Sequence, residues 1–320
     1  MSETNTSSKK NVKEHSRRAD AASSDSRSLS HDWLDPRLLD RLQCPSCASR
    51  LMQSSNGLRC SGCNASYPIE RGVPILLAAR PSEGFDYLSH YERDAEVFDY
   101  FEERPSGTAH AERRLAESIL RELPSATAIL DVGSGSAWVA RHFQSSDVFV
   151  CSLDATIINT AAAIDRYPHN HAAVVADAFH VPFRDGAFGA IVASEIIEHV
   201  VDPASFVREL IRVLAPGGSL VISTPYKERL RYTLCIHCNQ NTPLNAHLHS
   251  FDEHVLTKLY SGSDLERVTW RTFGNKALLH LRMHGAIGLL PFAGWKLIDE
   301  MANAVVDKRA HIVVRYEKKQ

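Results

Sequence analysis

What most limits the folds open to this chain is the alternation that begins at Ala126. Short apolar runs at Ala128 to Val132, Val148 to Leu153, Ala173 to Ala176, Phe188 to Ala193 and Ser219 to Ser223 are separated by stretches with helical spacing. Strands this apolar must be covered on both faces, so the alternation predicts an α/β fold, a parallel sheet with helices on either side. The clearest helix takes Asp202 as N-cap and Pro203 as its first residue. It aligns Phe206, Val207, Leu210, Ile211 and Leu214 on one face and is expected to stop at Pro216-Gly217-Gly218. Two more helical stretches, residues 85–103 and 108–123, precede the sheet, divided by the breaker Arg104-Pro105-Ser106-Gly107.

Composition bounds what surrounds this core. Of the 320 residues 44% are apolar, enough for a sizeable interior, and 36 Lys plus Arg against 38 Asp plus Glu give a net charge of −2. No overall basic field exists, so an RNA-binding role would need a local patch. No uncharged apolar stretch reaches the roughly 18 residues that span a bilayer. The N-terminus has no apolar signal region and contains Glu3, Glu14, Asp20 and Asp25, so a cytoplasmic protein is expected. Residues 1–30 lack large apolar side chains and are expected to be a disordered tail. A small module is expected over 31–80, opening with Leu34, Leu38, Leu39 and Leu42 at helical spacing, and the main domain over 81–320.

The small module carries Cys44-Pro45-Ser46-Cys47 and, after twelve intervening residues, Cys60-Ser61-Gly62-Cys63. Two such knuckles facing each other close a tetrahedral Zn2+ site with no position left for water, which makes the metal structural. A second set, Cys235, Cys238, His247 and His249, lies in an insert over residues 225–250. It is read as a second, Cys2His2 zinc site, with unligated side chains as the alternative. Ser250 and Glu253 have the spacing of a capping box that would open the next helix.

Ile129 to Ala137 is a buried strand running into a Gly133-Ser134-Gly135 turn and then a helix. A backbone that turns sharply and lets a ligand lie against its amides favours residues without β-carbons. Asp154 ends the second strand about 20 residues later, where a carboxylate can accept both hydroxyls of a ribose. Asp177 ends the third, placed to accept from an adenine amino group.

In these residues the chain resembles the class I S-adenosylmethionine (SAM) dependent methyltransferases of the type 11-like kind. The resemblance runs from about Ala126 to Thr224 through LDVGSGSA, SLDAT, ADAFHVPFRDGAFGAIVASEIIEHV and RVLAPGGSLVISTP, in that order. It implies a Rossmann-like seven-stranded sheet and SAM as methyl donor. By the same resemblance Asp131, Gly133 and Gly135 line the methionine end, Asp154 the ribose, and Asp177 with the backbone of Ala178 the adenine, Phe179 lying near the ring. Two positions depart from the pattern: Ala137 stands for the third loop glycine, and Phe188-Gly189 for the usual Phe-Asp. The segment RLLDRLQCPSCASRLMQSSNGLRCSGCNASYPIERGVPILL is similar to the small zinc-ribbon proteins that partner and activate tRNA, rRNA and release-factor methyltransferases. That implies a ribbon that packs on the catalytic domain with Val73 to Leu77 as a pairing strand, or one that grips substrate.

Glu195-Ile196-Ile197-Glu198-His199 follows the fourth strand, at the edge where ligands of such sheets sit. Three roles stay open for it: Glu195, Glu198 and His199 around Mg2+; His199 as general base toward a hydroxyl or protonated amine; or simply the start of a helix. The same residues occur in quinone-pathway O-methyltransferases and in a family of RNA 2′-O-methyltransferases, where they are associated with a divalent metal, and in metal-free relatives. Tyr87, Tyr91 and Tyr226 are candidate lining residues, and Lys227, Arg229 and Arg231 candidate contacts to an anionic acceptor. The expected activity is methyl transfer to a small molecule such as a quinone precursor, sugar or lipid intermediate. Its rivals are methylation of RNA or protein with the ribbon as docking module, and a non-catalytic SAM-binding scaffold.

Overall fold

Asp35 accepts from the backbone N–H of Arg37 and so caps a single helical turn, Pro36–Leu39 (α1), that tucks Leu38 inside. The computed structural model describes residues 34–77, 87–236, 239–280 and 287–320. The expected tail over 1–30, the boundary near 80–84 and Cys238 lie outside the described residues. After α1 come β1 (Leu51–Ser54), β2 (Gly57–Cys60) and β3 (Ser66–Tyr67), an antiparallel three-stranded sheet. A second hairpin joins β4 (Ile69–Glu70) to β5 (Val73–Leu76) through Arg71-Gly72, both with positive φ, as a two-residue turn of right-twisted strands requires.

Two helices, α2 (Tyr87–Val97) and α3 (Ser106–Leu120), lead to the main sheet; the first ends six residues short of its expected limit. The βα alternation then runs β6 (Ala128–Val132), α4 (Trp138–Phe143), β7 (Phe149–Asp154), α5 (Ile157–Arg166), β8 (His171–Ala176), β9 (Phe188–Ser194), α6 (Pro203–Val213) and β10 (Leu214–Pro225). The hairpin β11 (Tyr232–Leu234) and β12 (Asn241–Pro243) follows, then α7 (Glu253–Lys258), β13 (Leu265–Asn275), α8 (Lys276–His280), α9 (Phe292–Val305) and β14 (Arg309–Lys318). The sheet order is β13-β14-β10-β9-β6-β7-β8-β5-β4. The expected seven strands are thus extended to nine by the ribbon's second hairpin, β5 lying parallel to β8 with Ile75 opposite Val175 and Leu76 opposite Ala176. The reversal of strand order between β6 and β9 creates the crevice where ligands of open α/β sheets bind.

The ribbon shares its interior with the sheet. Leu38, Leu42, Leu51 and Leu58 belong to one buried cluster with Leu130, Leu153, Phe183 and Phe188. Gln43 N donates to Pro182 O at 2.9 Å and Arg184 N to Arg41 O at 2.9 Å, stitching the two backbones across the seam. α6 buries Phe206, Val207, Leu210 and Ile211 as its spacing predicts, with Asp202 accepting from Ala204 N and Ser205 N. It does not run to the prolyl-glycyl segment, however. Leu214 already pairs with Phe188, and Pro216-Gly217-Gly218 form a bulge inside β10 before pairing resumes at Ser219 opposite Ala190. A β-carbon on Gly218 would lie 2.7 Å from the carbonyl oxygen of Gly189, so the close approach there excludes side chains. Among the described residues, no helix is long and apolar enough to cross a membrane.

Burial also sets a pH limit. His171 at the head of β8 is 8% exposed, its Nδ1 donating to Tyr167 O at 2.8 Å and its Nε2 accepting from Ser152 Oγ at 2.9 Å. Burial pulls its pKa down to about 4. The folded state therefore resists the proton that an unfolded imidazole accepts near its ordinary pKa of about 6.5, so stability is full above that value and falls as the pH drops toward 4. The shift corresponds to roughly 3 kcal/mol. Urea titrations between pH 7 and 4 should show a shallower loss in His171→Gln than in the wild type; equal slopes would contradict the assignment.

Candidate functional site

The carboxyl edge of the sheet gathers its chemistry from strand ends. Gly133 and Gly135 follow β6 with φ of +68° and +44°. The space their side chains would need is taken by the protein itself: a β-carbon on Gly133 would meet Ile196 Cδ1 at 2.6 Å, and one on Gly135 the Tyr100 ring at 3.2 Å. Ala137 keeps the left-handed backbone, φ +52°, that the missing third glycine would have supplied. Asp154, at the end of β7, ties the loop down, its Oδ2 accepting from Gly135 N at 3.0 Å and its Oδ1 from Thr156 N at 3.2 Å and Asn159 Nδ2 at 3.4 Å.

Asp131 lies on the neighbouring strand, and its buried Oδ2 has no hydrogen-bond partner; Ser134 Oγ is in the same condition. Burial, then the charge of Asp154, pushes the Asp131 pKa well above the carboxylate range, and burial raises Asp154 as well. Two buried acids beside an unfilled acceptor fit a ligand that brings positive charge and N–H donors. Asp177, just past β8, accepts from Phe179 N at 2.9 Å and sits 3.3 Å from His180 Nδ1, with Ala178 and Phe179 packed against the core.

Residues of α2 and the turn after it border this loop. Tyr100, which the sequence did not single out, stands over Gly135 and donates from its hydroxyl to Asp94 Oδ2 at 2.6 Å. Tyr91 lies between the two halves of the site: burial and the nearby charges of Asp94, Glu198 and Asp154 push its pKa up to about 12. Of the other candidate tyrosines, Tyr226 donates to Glu253 at 2.7 Å, and the side chain of Tyr87 lies outside the described residues.

The second half of the site is built on the segment after β9. Glu195 adopts φ +55°, a left-handed conformation that few non-glycine residues take. Ser223 Oγ donates to its Oε1 at 3.0 Å and His311 Nε2 lies 3.4 Å from Oε2. Burial alone would raise Glu195 and lower His311, but their mutual attraction reverses both shifts. Glu198 turns the other way and accepts from Thr224 Oγ1 at 2.9 Å. Burial and then the charge of Glu195 raise its pKa well above the usual range. His199 is lowered to about 4 by burial and then by His247, whose ring meets it edge to face at 4.8 Å.

His247 is thereby parted from the cysteines with which its spacing grouped it. Its Nδ1 lies 2.5 Å from Glu228 Oε2, while His249 Nε2 reaches Val200 O at 3.0 Å. Cys235 sits at the tip of the β11–β12 hairpin, its amide bonded to Gln240 O. Among the described residues the expected Cys235, His247 and His249 do not converge; His247 instead joins Glu198 and His199, with ligand atoms within 4.8 Å of one another. Lys227, of the three basic candidates, is paired with Glu253 at 3.4 Å. Asp252 rather than Ser250 caps α7, accepting from Val255 N at 2.9 Å.

The ribbon cysteines do converge. Cys44 and Cys63 Sγ lie 3.7 Å apart and Cys47 and Cys60 Sγ 3.4 Å, close to the ~3.8 Å edge of a tetrahedron with Zn–S bonds of about 2.3 Å. Gly62 N and Cys63 N both donate to Cys60 Sγ, and hydrogen bonds from Ser49 draw the Cys47 thiol down to about 6, toward the thiolate a metal requires. A β-carbon on Gly62 would lie 2.3 Å from Ser49 Oγ, so the knuckle has no room for one.

Residues 130–222 match the methyltransferase domain family model, and residues 35–72 the Trm112p-like protein model. The chain is 32% identical over 155 residues to tocopherol O-methyltransferase of Arabidopsis thaliana, covering 43% of each chain. It is 33% identical over 124 residues to demethylmenaquinone methyltransferase of Mycolicibacterium gilvum, covering 35% of this chain and 53% of that one. The chain thus spans about half the length of these curated relatives. Among solved structures, a phosphoethanolamine N-methyltransferase of Haemonchus contortus in complex with SAM is similar at 18% identity and a TM-score of 0.46, over 65% of this chain and 53% of that chain. The chain accordingly carries a methyltransferase domain over residues 130–222, preceded over residues 35–72 by a Trm112p-like segment with four clustered cysteines.

Proposed function

We propose that the protein is a SAM-dependent methyltransferase acting on a small-molecule acceptor. The observation that carries this reading is the pair of buried carboxylates, Asp131 and Asp154, on neighbouring strand tips around the Gly133–Gly135 turn, with Asp131 Oδ2 lacking a donor. SAM supplies an ammonium and a sulfonium to offset that charge, and hydroxyls for Asp154. Asp131, Gly133 and Gly135 hold the methionine end, Asp154 the ribose, and Asp177 with the Ala178 backbone the adenine, beside Phe179.

When bound, SAM supplies an activated methyl group to an in-line displacement. The chain's own part is to position the partners and exclude water. Tyr91 and Tyr100 border the crevice on the helical side. His199 lies at the adjoining edge as the candidate proton acceptor toward a hydroxyl; burial lowers it to about 4, which keeps the ring neutral and makes it a weak base. Cys44, Cys47, Cys60 and Cys63 would hold a zinc ion whose coordination four thiolates would fill, so that it would fasten the ribbon and supply no chemistry to the reaction. The names of the relatives, tocopherol and demethylmenaquinone methyltransferases, support a small acceptor such as a quinone precursor. The pairing of β5 with β8 supports a ribbon that serves the enzyme's own fold.

The test is to incubate the zinc-loaded protein with methyl-labelled SAM and an extract of its own host, then to separate organic-soluble, nuclease-sensitive and protease-sensitive label. Label in the organic-soluble pool is expected. Label in RNA or protein would overturn the acceptor class, and tight SAM binding without label in any pool would make the chain a binding scaffold.

A further inference from the structure

Between its last two strands the chain takes a detour that the sheet itself does not need. Asn275 at the end of β13 pairs directly with Arg309 at the start of β14, and Lys276 N donates to Lys308 O at 2.8 Å, so a tight hairpin could close there. Residues 276–308 instead leave the sheet, form α8 and α9, and return.

α9 is apolar on both sides. Trp295, Ile298 and Ala302 pack inward with Leu278 and Ile287. The charged side chains of the helix are all engaged or enclosed: Asp299 is buried, Lys296 reaches Glu117 of α3 at 2.9 Å, and Glu300 is paired with Arg114 of α3 at 3.0 Å. Asn303 is spent inward as well, accepting from Asn275 Nδ2 at 2.9 Å and donating to Asp299 O at 3.0 Å. The outward arc is left to Ala293, Leu297, Met301, Ala304 and Val305, at spacings of three and four. Leu297 is 57% exposed, Met301 61% and Val305 84%. Leu289, Leu290 and Val306 lengthen this strip at its two ends. A surface helix ordinarily shows charges to water, and one that is apolar all round is a covered helix.

We infer that this strip is the contact through which two copies of the chain pair, α9 against α9 about a two-fold axis. Charge selects a second copy over other partners. With Lys296 and Glu300 neutralised on α3, the strip offers nothing to an anionic lipid surface or to nucleic acid, and it meets its own image without like-charge repulsion. Shape agrees, because the outward residues form one ridge in which Ala293 and Ala304 flank larger side chains, and two such ridges interdigitate at axial separations of about 8–10 Å. A two-fold axis makes every contact twice, and Leu297, midway between Leu289 and Val306, lies nearest to it. The area is also sufficient. The strip amounts to on the order of 400 Å² of apolar surface per copy, close to the apolar share of the ~800 Å² that each partner of a stable pair contributes.

Sedimentation velocity of the zinc-loaded full chain over a micromolar concentration series reads the mass directly. A species of twice 35.6 kDa is expected. Leu297→Glu and Met301→Glu each bring two carboxylates into one apolar contact and should raise the dissociation constant by more than about a hundredfold. Met52→Glu should leave the dimer unchanged, since it lies on the ribbon, whose β4 is at the opposite end of the main sheet from β13. Thermal melting identifies any variant that fails to fold, and the mass of the wild type carries the test without it. A single-chain mass for the wild type throughout the series, or a dimer indifferent to both α9 substitutions, would overturn the inference. So would a monomer that co-sediments with phosphatidylcholine vesicles and no longer does so in Met301→Glu, which would assign the strip to a bilayer. None of these measurements depends on SAM or on methyl transfer, so failure of the proposed activity is not mistaken for failure of the pairing.

Discussion

Asp154→Ala should weaken the binding of SAM and of its demethylated product by about a hundredfold or more. A hydrogen bond to a charged group is worth about 1.5–3 kcal/mol, and the ribose offers two hydroxyls, so at least about 3 kcal/mol is at stake; each 1.4 kcal/mol is tenfold in affinity. The carboxylate also receives Gly135 N, Thr156 N and Asn159 Nδ2, and truncation leaves buried donors unpaired at roughly 1–3 kcal/mol. Asp154→Asn separates the two effects. It retains an acceptor oxygen for the loop and should melt closer to the wild type while still binding SAM more weakly, because the charge is gone. Wild-type affinity in Asp154→Ala, measured calorimetrically, would show that the ribose lies elsewhere.

Removal of the ribbon metal should have the larger effect on stability. Cys60 is buried, lies 3.4 Å from the Cys47 sulfur and accepts two backbone N–H groups, so Cys60→Ser breaks the site at its best-fastened ligand. Structural zinc contributes on the order of 10 kcal/mol in isolated ribbons. The loss will not stay local. β5 is hydrogen-bonded to β8, and Leu38, Leu42 and Leu51 share the interior of the main sheet, so unfolding the ribbon strips cover from Phe183 and Phe188. If only half of that energy reaches the sheet, the melting temperature falls by about 10 °C or more. Zinc content and melting curves of Cys60→Ser and of chelated wild type are the measurements. Unchanged values for both would refute the four-cysteine site.

The parts of this molecule that were legible in the sequence are those set by local periodicity and spacing. The five strands from Ala128 onward, the capped helix at Pro203, the Gly133–Gly135 turn and the paired knuckles are each written within a dozen or so residues. The pairing strand at Val73 was readable because a similar ribbon suggested it. What escaped was long-range. His247 was grouped with Cys235 and Cys238 because a two-cysteine knuckle is followed, eight residues after Cys238, by histidines at alternate positions, yet the β11–β12 hairpin carries Cys235 off, and the register of Leu248 on Glu198 brings His247 beside His199, 48 positions earlier. His311 reaches Glu195 from the last strand, and Tyr100 reaches Gly135 from beyond a helix, by packing that no motif announces. Pro216-Gly217-Gly218 looked like a helix stop and is a bulge, because parallel pairing with Phe188 captures Leu214 first.

The most direct measurement of the central claim is an experimental structure of the zinc-loaded protein with S-adenosylhomocysteine. The account predicts ribose hydroxyls within hydrogen-bond distance of Asp154, the adenine amino group at Asp177 and the amino-acid end beside Asp131. A nucleoside bound outside the crevice between β6 and β9, or Asp131 and Asp154 making no contact with it, would contradict the account.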